Sequence, residues 1–406
     1  MKKIHYHTDC AFFAGCENML PLFLESKIIS SKFKVTFSYR YSIKYYKGLI
    51  KKIEINDNIF ALNFPDILDF GLLPKNIPLS ILRVYFFFIR FLLIYPILIY
   101  EIIYFTLLFK KLKLDILHIN NGGYPGALSC RAAAIAGWII KVPNIIMVVN
   151  NMAVDYASFF RIFDLPIDYF TKKSVNKFIT GSKLAKLRIR QVLKLDKHRT
   201  ISIPNCIKPI YPTIDKIYTL HKLNLANFDG KIIGVVGLLI ERKGHLILLN
   251  ALVDLIYNKG FINIKLIIIG DGPLRKELSN FIERNKLTDY IFFTGQVNDP
   301  INYISIIDFL VLPSIDNEDF PFVVIEAMNC GKPVIASRVA GTIEQIKDNI
   351  NGFLIEPRNV IQLADKIALL LNNDKLLKQM GANSRQIFLN NFTDQQCLTN
   401  YLKIYK

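Results

Sequence analysis

Short apolar runs rich in Ile, Val, Leu and Phe recur along this chain with longer helix-compatible stretches between them, and they do so in two series. The first series is KIHYHT, KVTFSYR, IFALNF, DILHIN, NIIMVVN, KFITGS and TISIPN. Strands that alternate with helices predict a parallel sheet covered on both faces, because a parallel neighbour can be reached only through a crossover connection. PNCIKPIYPTIDK, residues 204–216, then interrupts the pattern with three prolines and reads as an interdomain linker. A second and more regular series follows: KIIGVVG, IKLIIIGDG, IFFTGQV, FLVLPS and PVIAS, with helical KGHLILLNALVDLIYNKG, PLRKELSNFIERNKL and PFVVIEAMNCG among them. At 406 residues the chain is long enough for two domains with separate cores. The expected architecture is therefore α/β, two doubly wound Rossmann-like domains facing across a cleft, with boundaries at 1–208 and 209–385. Residues 386–406 are expected to form a C-terminal helix packing back on the N-terminal domain.

Charge is unevenly spread between the halves. Of 51 Lys and Arg and 33 Asp and Glu, 30 and 13 lie within residues 1–208, so that half carries about +17 of the formal +18. A basic face suits an anionic bilayer surface or a phosphorylated substrate. Nucleic acid is not expected as a partner, because no zinc-finger spacing, RNA-binding glycine-aromatic signature or basic-region heptad is present. The six cysteines have neither CxxC spacing nor the density of a disulfide scaffold, which places the chain in a reducing, cytoplasmic compartment. MKKIHYHTDCAFF puts His5, His7 and Asp9 where a signal peptide needs an apolar core, so it reads as a first strand.

One segment has a membrane character. FLLIYPILIYEIIYFTLLF, residues 91–109, follows Arg83 and Arg90 and precedes Lys110, Lys111 and Lys113. Pro96 and Glu101 inside it, and the neighbouring strands it would separate, favour a helix packed in the domain or lying in the bilayer interface over a spanning one. The expected location is peripheral, at the inner face of the cell membrane.

Open α/β sheets bind ligands beyond the carboxyl ends of their strands. Three such loops in the second half carry unusual residues. GLLIERKGH sets Arg242 and Lys243 just before a helix, where two cations and a helix N-terminus suit a diphosphate. GDGP offers Gly270 and Gly272 for close backbone approach, and Arg275 where a dinucleotide fingerprint wants a third glycine excludes that fingerprint. EDFPFVVIEAM places Glu318 and Glu326 eight positions apart, with Pro321 at the expected first helical position and free amides at Phe322 and Val323. Acids such as Asp316, Glu318 and Asp319 near a helix N-terminus are ordinary stabilising features. Glu326 is expected to be a core-facing charge, which is costly without a partner. A ligand rich in hydroxyls accounts for both glutamates, with a diphosphate held between them.

These motifs resemble the nucleotide-binding domain of retaining GT-B glycosyltransferases, the large family 4 group (glycosyl transferases group 1). The resemblance runs from about Lys231 to Pro357, including GDGPLRKEL, FFTGQV, CGKPVIAS and NGFLIEP, and extends more loosely to DILHIN, ITGSKLA and ISIPNCI. It implies that Glu318 contacts the donor sugar, Glu326 the nucleotide ribose, and Lys243 the departing diphosphate, with Arg242 standing in for a family arginine at the position of Leu238. Gly237, Gly272, Val297, Phe320, Pro321, Phe322 and Val323 complete the expected donor site. On the acceptor side, FAGCEN offers Ala14, Gly15 and Glu17, and Asn150 or Asn151 stands where the family often has histidine. The substrates implied are a nucleotide-sugar and a saccharide or lipid-linked acceptor of surface polysaccharide or lipopolysaccharide synthesis.

The resemblance also implies retention of anomeric configuration. Neither cofactor nor metal is expected, since no Asp-x-Asp stands at a strand end. Two alternatives share the architecture, a nucleotide-sugar 2-epimerase and a non-catalytic scaffold.

Overall fold

The first series of apolar runs forms β1 (Lys2–Thr8), β2 (Phe33–Arg40), β3 (Ile59–Leu62), β4 (Ile116–Asn121), β5 (Asn144–Val149), β6 (Lys177–Thr180) and β7 (Thr200–Ser202) in the computed structural model of the chain. The structure describes residues 1–11, 13, 15–65, 80–157, 161, 163–316 and 318–406. Ala14 and Asn317 lie outside the described residues, as do the side chains of Cys16, Arg83 and Arg90. Among the described residues every strand pair in this sheet is parallel, in the order β3-β2-β1-β4-β5-β6-β7. β4 is buried at every position, as a parallel strand covered on both faces must be, so its His118, Asn120 and Asn121 are interior polar groups.

The helices of this unit include α1 (Ile43–Leu49), α2 (Ser80–Leu112), α3 (Leu128–Ile139) and α4 (Leu165–Ser174). The alanines of α3 let it lie close on the sheet, with Ala132, Ala133, Ala134 and Ala136 fully buried. A Cβ on Gly137 would stand 2.9 Å from Leu117 Cδ2 and 3.1 Å from Ile145 Cδ1, so β4 and β5 press directly on that turn of helix. α2 packs against α3, and its Phe105 and Phe109 join the same apolar cluster.

The second series forms β8 (Lys231–Val236), β9 (Ile264–Ile269), β10 (Ile291–Gly295), β11 (Phe309–Leu312), β12 (Val334–Ser337) and β13 (Gly352–Ile355). They pair in the parallel order β10-β9-β8-β11-β12-β13. Helices α5 (His245–Val253), α6 (Arg275–Arg284) and α7 (Phe322–Asn329) follow β8, β9 and β11, and α8 (Asp394–Tyr405) ends the chain.

The chain divides into two compact units, Met1–Ile203 with Tyr401–Lys406, and Pro204–Asn400. The division thus falls at the start of the proline-rich stretch, and residues 386–400 group with the second unit. Only the end of α8 joins the first, where Tyr405 O–H meets His118 Nδ1 at 2.6 Å and the buried Tyr405 packs edge-on against Phe33. Each sheet is wound outward in two directions from its first strand, so each has a switch point where strand order reverses: between β1 and β4 in one unit, between β8 and β11 in the other. Loops diverge at such points and leave room for a ligand.

Candidate functional site

At the switch point of the second unit, the loops after β8 and β11 are built into one another. The chain leaves β8 through Gly237, makes a 3-10 turn at Glu241–Lys243, and enters α5 through Gly244 at φ +70°. A side chain at Gly244 would be strained by that backbone, and its Cβ would fall 1.9 Å from the Pro313 carbonyl oxygen. Ile315 N–H donates to the Arg242 carbonyl at 2.8 Å and completes the junction. The sequence places Arg242 and Lys243 far from Glu318; this junction brings the three together.

Glu318 is the centre of the cluster. Its Oε1 accepts from Lys243 Nζ at 2.5 Å, from Arg242 Nη1 at 2.9 Å and from Ser314 Oγ at 2.8 Å. Oε2 takes none of these donors. The acid is nearly buried, while the Arg242 side chain keeps about a third of its surface, 32%, open to solvent. Two cations on one carboxylate leave a local excess of positive charge at a solvent-reachable position, as a diphosphate requires. Ser314 gives no motif signal; only its place at the end of β11 marks it.

The chain is fixed from Glu318 onward. Its carbonyl accepts from Gly341 N–H at 3.0 Å, and a Cβ at Gly341 would lie 1.5 Å from the Asp319 carbonyl oxygen. The next carbonyls are tied too: Phe320 O accepts from Asn205 Nδ2 at 2.9 Å and Pro321 O from Gln345 Nε2 at 3.0 Å. Pro321 is the cap of α7 and not its first helical residue, because its ψ of 125° is extended and the helix begins at Phe322. The amides of Phe322 and Val323 are nonetheless first-turn amides, which have no partner within the helix.

Glu326 corrects an expectation. It is half-buried and not core-facing, since the buried positions of α7 are Val323, Val324, Ile325, Ala327, Met328 and Asn329. A carboxylate at the margin of the helix keeps part of its hydration.

Gly272 and Gly237 serve loop packing. A Cβ at Gly272 would meet the Leu239 N and O atoms at 2.7 Å; Leu239 N–H donates to Asp271 O, and Leu239 O accepts from Leu274 N–H, each at 3.0 Å. Gly237 N–H donates to Ile269 O at 3.0 Å. The GDGP loop is thus a brace for the loop that carries Arg242 and Lys243. Val297 is half-buried against the apolar cluster that holds Phe320 and Val323, and Leu238 is half exposed. His245, next to Gly244, is buried with neither ring nitrogen hydrogen-bonded among the described residues. Burial above all, and the Lys243 charge after it, lower its pKa to about 4, so it is neutral at pH 7.

The first unit has its own polar centre at the β1–β4 switch point. Gly15 opens the 3-10 turn Gly15–Glu17, which carries Glu17 into the interior with no exposed surface. There Oε1 accepts from Thr8 Oγ1 at 2.9 Å, Cys10 Sγ at 3.2 Å and Asn120 Nδ2 at 2.9 Å, and Oε2 accepts from Tyr45 O–H at 2.5 Å. Asn150 Nδ2 donates to Asn120 Oδ1 at 2.8 Å and to Asn121 O at 3.0 Å, so Asn120 links the two residues singled out by sequence. Asn120 itself escapes a sequence reading, because nothing in DILHIN marks its last residue apart from position at a strand end. Glu17 is placed to hold β1, β4 and α1 in register, and Asn150 stands at the margin of that network.

Residues 219–387 match the family model of glycosyl transferases group 1, and these include the whole Arg242–Lys243–Glu318 cluster. An uncharacterized glycosyltransferase of Methanocaldococcus jannaschii is 33% identical over 239 residues, 59% of this chain and 61% of that one. The UDP-Gal:alpha-D-GlcNAc-diphosphoundecaprenol alpha-1,3-galactosyltransferase of Escherichia coli is 27% identical over 290 residues, 70% of this chain and 73% of that one. For the first matching relatives the aligned stretch spans 61% or less of the relative's own length. Among solved structures, Anabaena HepE in complex with UDP superposes with a TM-score of 0.75 at 18% identity, covering 99% of this chain and 98% of that one. The fold is therefore that of the GT-B glycosyltransferases, as the motifs implied.

Proposed function

We propose that the chain is a retaining, metal-independent glycosyltransferase that moves a sugar from a nucleotide-sugar to a saccharide or lipid-linked acceptor in surface polysaccharide or lipopolysaccharide synthesis. One observation carries the reading: Glu318 gathers Lys243, Arg242 and Ser314 on a single oxygen and leaves Oε2 for a ligand hydroxyl. Breaking the bond between the anomeric carbon and the diphosphate builds positive charge on the sugar and negative charge on the leaving group. Lys243, Arg242 and the first-turn amides of α7 would stabilise the diphosphate, while Glu318 orients the sugar and Glu326, farther along α7, takes the ribose. The fixed backbone from Glu318 to Pro321 supplies the preorganisation such stabilisation needs. The acceptor would be bound by the first unit, near Asn150. UDP-sugars are the first donors to test, because HepE was solved with UDP and the E. coli relative is named for UDP-Gal.

The experiment is thermal unfolding of the full chain against UDP-, GDP-, ADP- and CMP-sugars, with Lys243→Ala and Glu326→Ala beside it. Stabilisation by one nucleotide-sugar that both variants lose supports the reading. If none stabilises the parent chain, the cluster around Glu318 is not a donor site.

A further inference from the structure

α2 presents two faces of different character. Ile97, Leu98, Glu101, Phe105 and Phe109 are buried against the first unit's sheet and α3, so this face is already occupied by protein. On the other side Leu92, Pro96, Ile99, Ile103 and Leu107 follow one another at helical spacing and are exposed, and the stripe ends at Lys110 and Lys111. Only 28% of the most apolar 18-residue window within Leu92–Leu112 is buried, although its mean hydropathy is 2.1. A core helix would be covered on most sides, and a spanning helix would have to surrender the face packed on the sheet. Neither description fits.

The neighbouring helices extend the surface. α2, α3 and α4 pack side by side, and each runs directly into the next strand of one parallel sheet, so their carboxyl ends lie at the same end of the layer. At that end α3 exposes Trp138 and Ile139, and α4 exposes Tyr169 and Phe170. Lys173 Nζ sits 5.9 Å from the Trp138 ring centre and 5.7 Å from that of Tyr169, with Lys172 and Lys141 nearby in sequence. An apolar stripe edged by Trp, Tyr and Lys is the composition of an interfacial element: apolar atoms enter the acyl boundary, aromatic rings settle at headgroup level, and lysines meet lipid phosphates.

We infer that the outer face of α2, with the ends of α3 and α4, docks in the plane of a bilayer that carries anionic headgroups. Charge selects this occupant over a protein partner or a second copy. Lys110 and Lys111 end the stripe and Lys173 lies over Trp138 and Tyr169, with Lys113, Lys141 and Lys172 close to them in sequence, and a second copy would bring the same positive charge against this face. The inference stands on the first unit alone and survives if the donor assignment fails.

The chain holds one tryptophan, Trp138, inside the proposed contact, so its emission reports on this face directly. The full chain is titrated with phosphatidylglycerol–phosphatidylcholine vesicles and with phosphatidylcholine vesicles alone, with cosedimentation in parallel. Expected are a blue shift and partition with the anionic vesicles, weakened by salt. Ile103→Glu with Leu107→Glu loses at least tenfold in partition with unchanged circular dichroism and melting, whereas Ile103→Leu with Leu107→Ile retains it. Lys110→Gln with Lys111→Gln loses about thirtyfold, on anionic vesicles only. Trp138 emission that neither vesicle moves, a Glu double variant that partitions like the parent, or a parent dimer that this variant dissociates without any vesicle binding would overturn the inference.

Discussion

Lys243 and Glu318 are joined by an ion pair of 2.5 Å, seventy-five residues apart in sequence, and the acid that receives the lysine also receives Arg242. In the ligand-free chain the carboxylate therefore does part of what a diphosphate would do. Glu318→Gln keeps the shape and removes the charge that two adjacent cations share. Because Arg242 is about a third exposed, the cost is smaller than for a fully buried pair, about 2 kcal/mol. The expected outcome is a melting temperature lowered by about 5 °C, together with a larger stabilisation by UDP than in the parent, since the ligand no longer competes with the acid. Calorimetry with and without UDP reads both. A variant that melts lower and gains nothing extra from UDP would separate the ion pair from the donor site.

On the proposed function, Lys243→Met removes a donor to the leaving group, and it leaves Glu318 with Arg242 and Ser314. By analogy with single donors to a developing anion, turnover should fall about 100- to 1000-fold. The Michaelis constant for the donor should rise too, by a smaller factor, because an interaction already present in the bound ground state strengthens further as charge develops on the diphosphate. Initial rates over a donor series measure the split. A variant that loses only donor affinity would place Lys243 in ground-state binding.

Gly244→Ala touches neither cation. It places a Cβ on a backbone at φ +70° and against the Pro313 carbonyl, so the junction between the loops after β8 and β11 must open. The strain should cost about 1–3 kcal/mol, and the displacement of Lys243 from Glu318 should weaken donor binding as well. Urea unfolding and calorimetric titration with the donor check the two effects on one sample. Unchanged donor binding in a destabilised variant would show that the junction supports the fold alone.

The strands are legible in the sequence because a parallel strand buried on both faces is an apolar run, and β5 and β9 show it most clearly. Lys243, Arg242 and Glu318 are legible as residue types at strand ends, which is where open sheets place their ligands. Their mutual contact is not, because it depends on a backbone junction at Gly244, Pro313 and Ile315 that no periodicity encodes. Glu326 misleads for a related reason. A carboxylate among apolar neighbours in sequence looks buried, yet a helix turns each successive residue by a large angle, and one polar position can sit at the edge of an otherwise covered face. Ser314 and Asn120 carry no signal beyond position, so only the fold reveals them.

Glu17 is better placed to hold the first unit together than to touch a substrate, since four side chains donate to it in the interior. Glu17→Ala leaves those donors without their acceptor and should cost the first unit about 3 kcal/mol. Asn150→Ala, at the margin of the same network, should cost less than about 1 kcal/mol and act chiefly on the Michaelis constant for the acceptor. Urea unfolding followed by Trp138 emission reads the first unit. Equal destabilisation by both changes would contradict this division of roles.

Acid should unfold the first unit before the second. His7 and His118 are fully buried and held neutral, with burial lowering each pKa to about 3, and burial lowers His5 as well, with the His7 charge adding to it. In the second unit burial holds His245 at about 4. Unfolded histidines take up a proton below about pH 6.5, whereas folded His7 and His118 do so at about pH 3 and His245 at about pH 4, so the unfolded state binds more protons throughout that window. Stability is therefore complete above about pH 6.5 and is lost as the pH falls, by about 2 kcal/mol per buried histidine between about pH 7 and pH 5. His7 and His118 in the first unit against His245 in the second predict a loss about twice as large for the first, and His5 is shifted in the same direction. Ordinary carboxylates titrate mostly below this range and leave the comparison intact. Urea midpoints at pH 7 and pH 5, read by Trp138 emission for the first unit and by donor-dependent protection for the second, provide the measurement. His245→Leu should flatten the second unit's dependence and leave the first unit's unchanged. A second unit that keeps its full pH dependence in this variant would mean that other groups take up the protons.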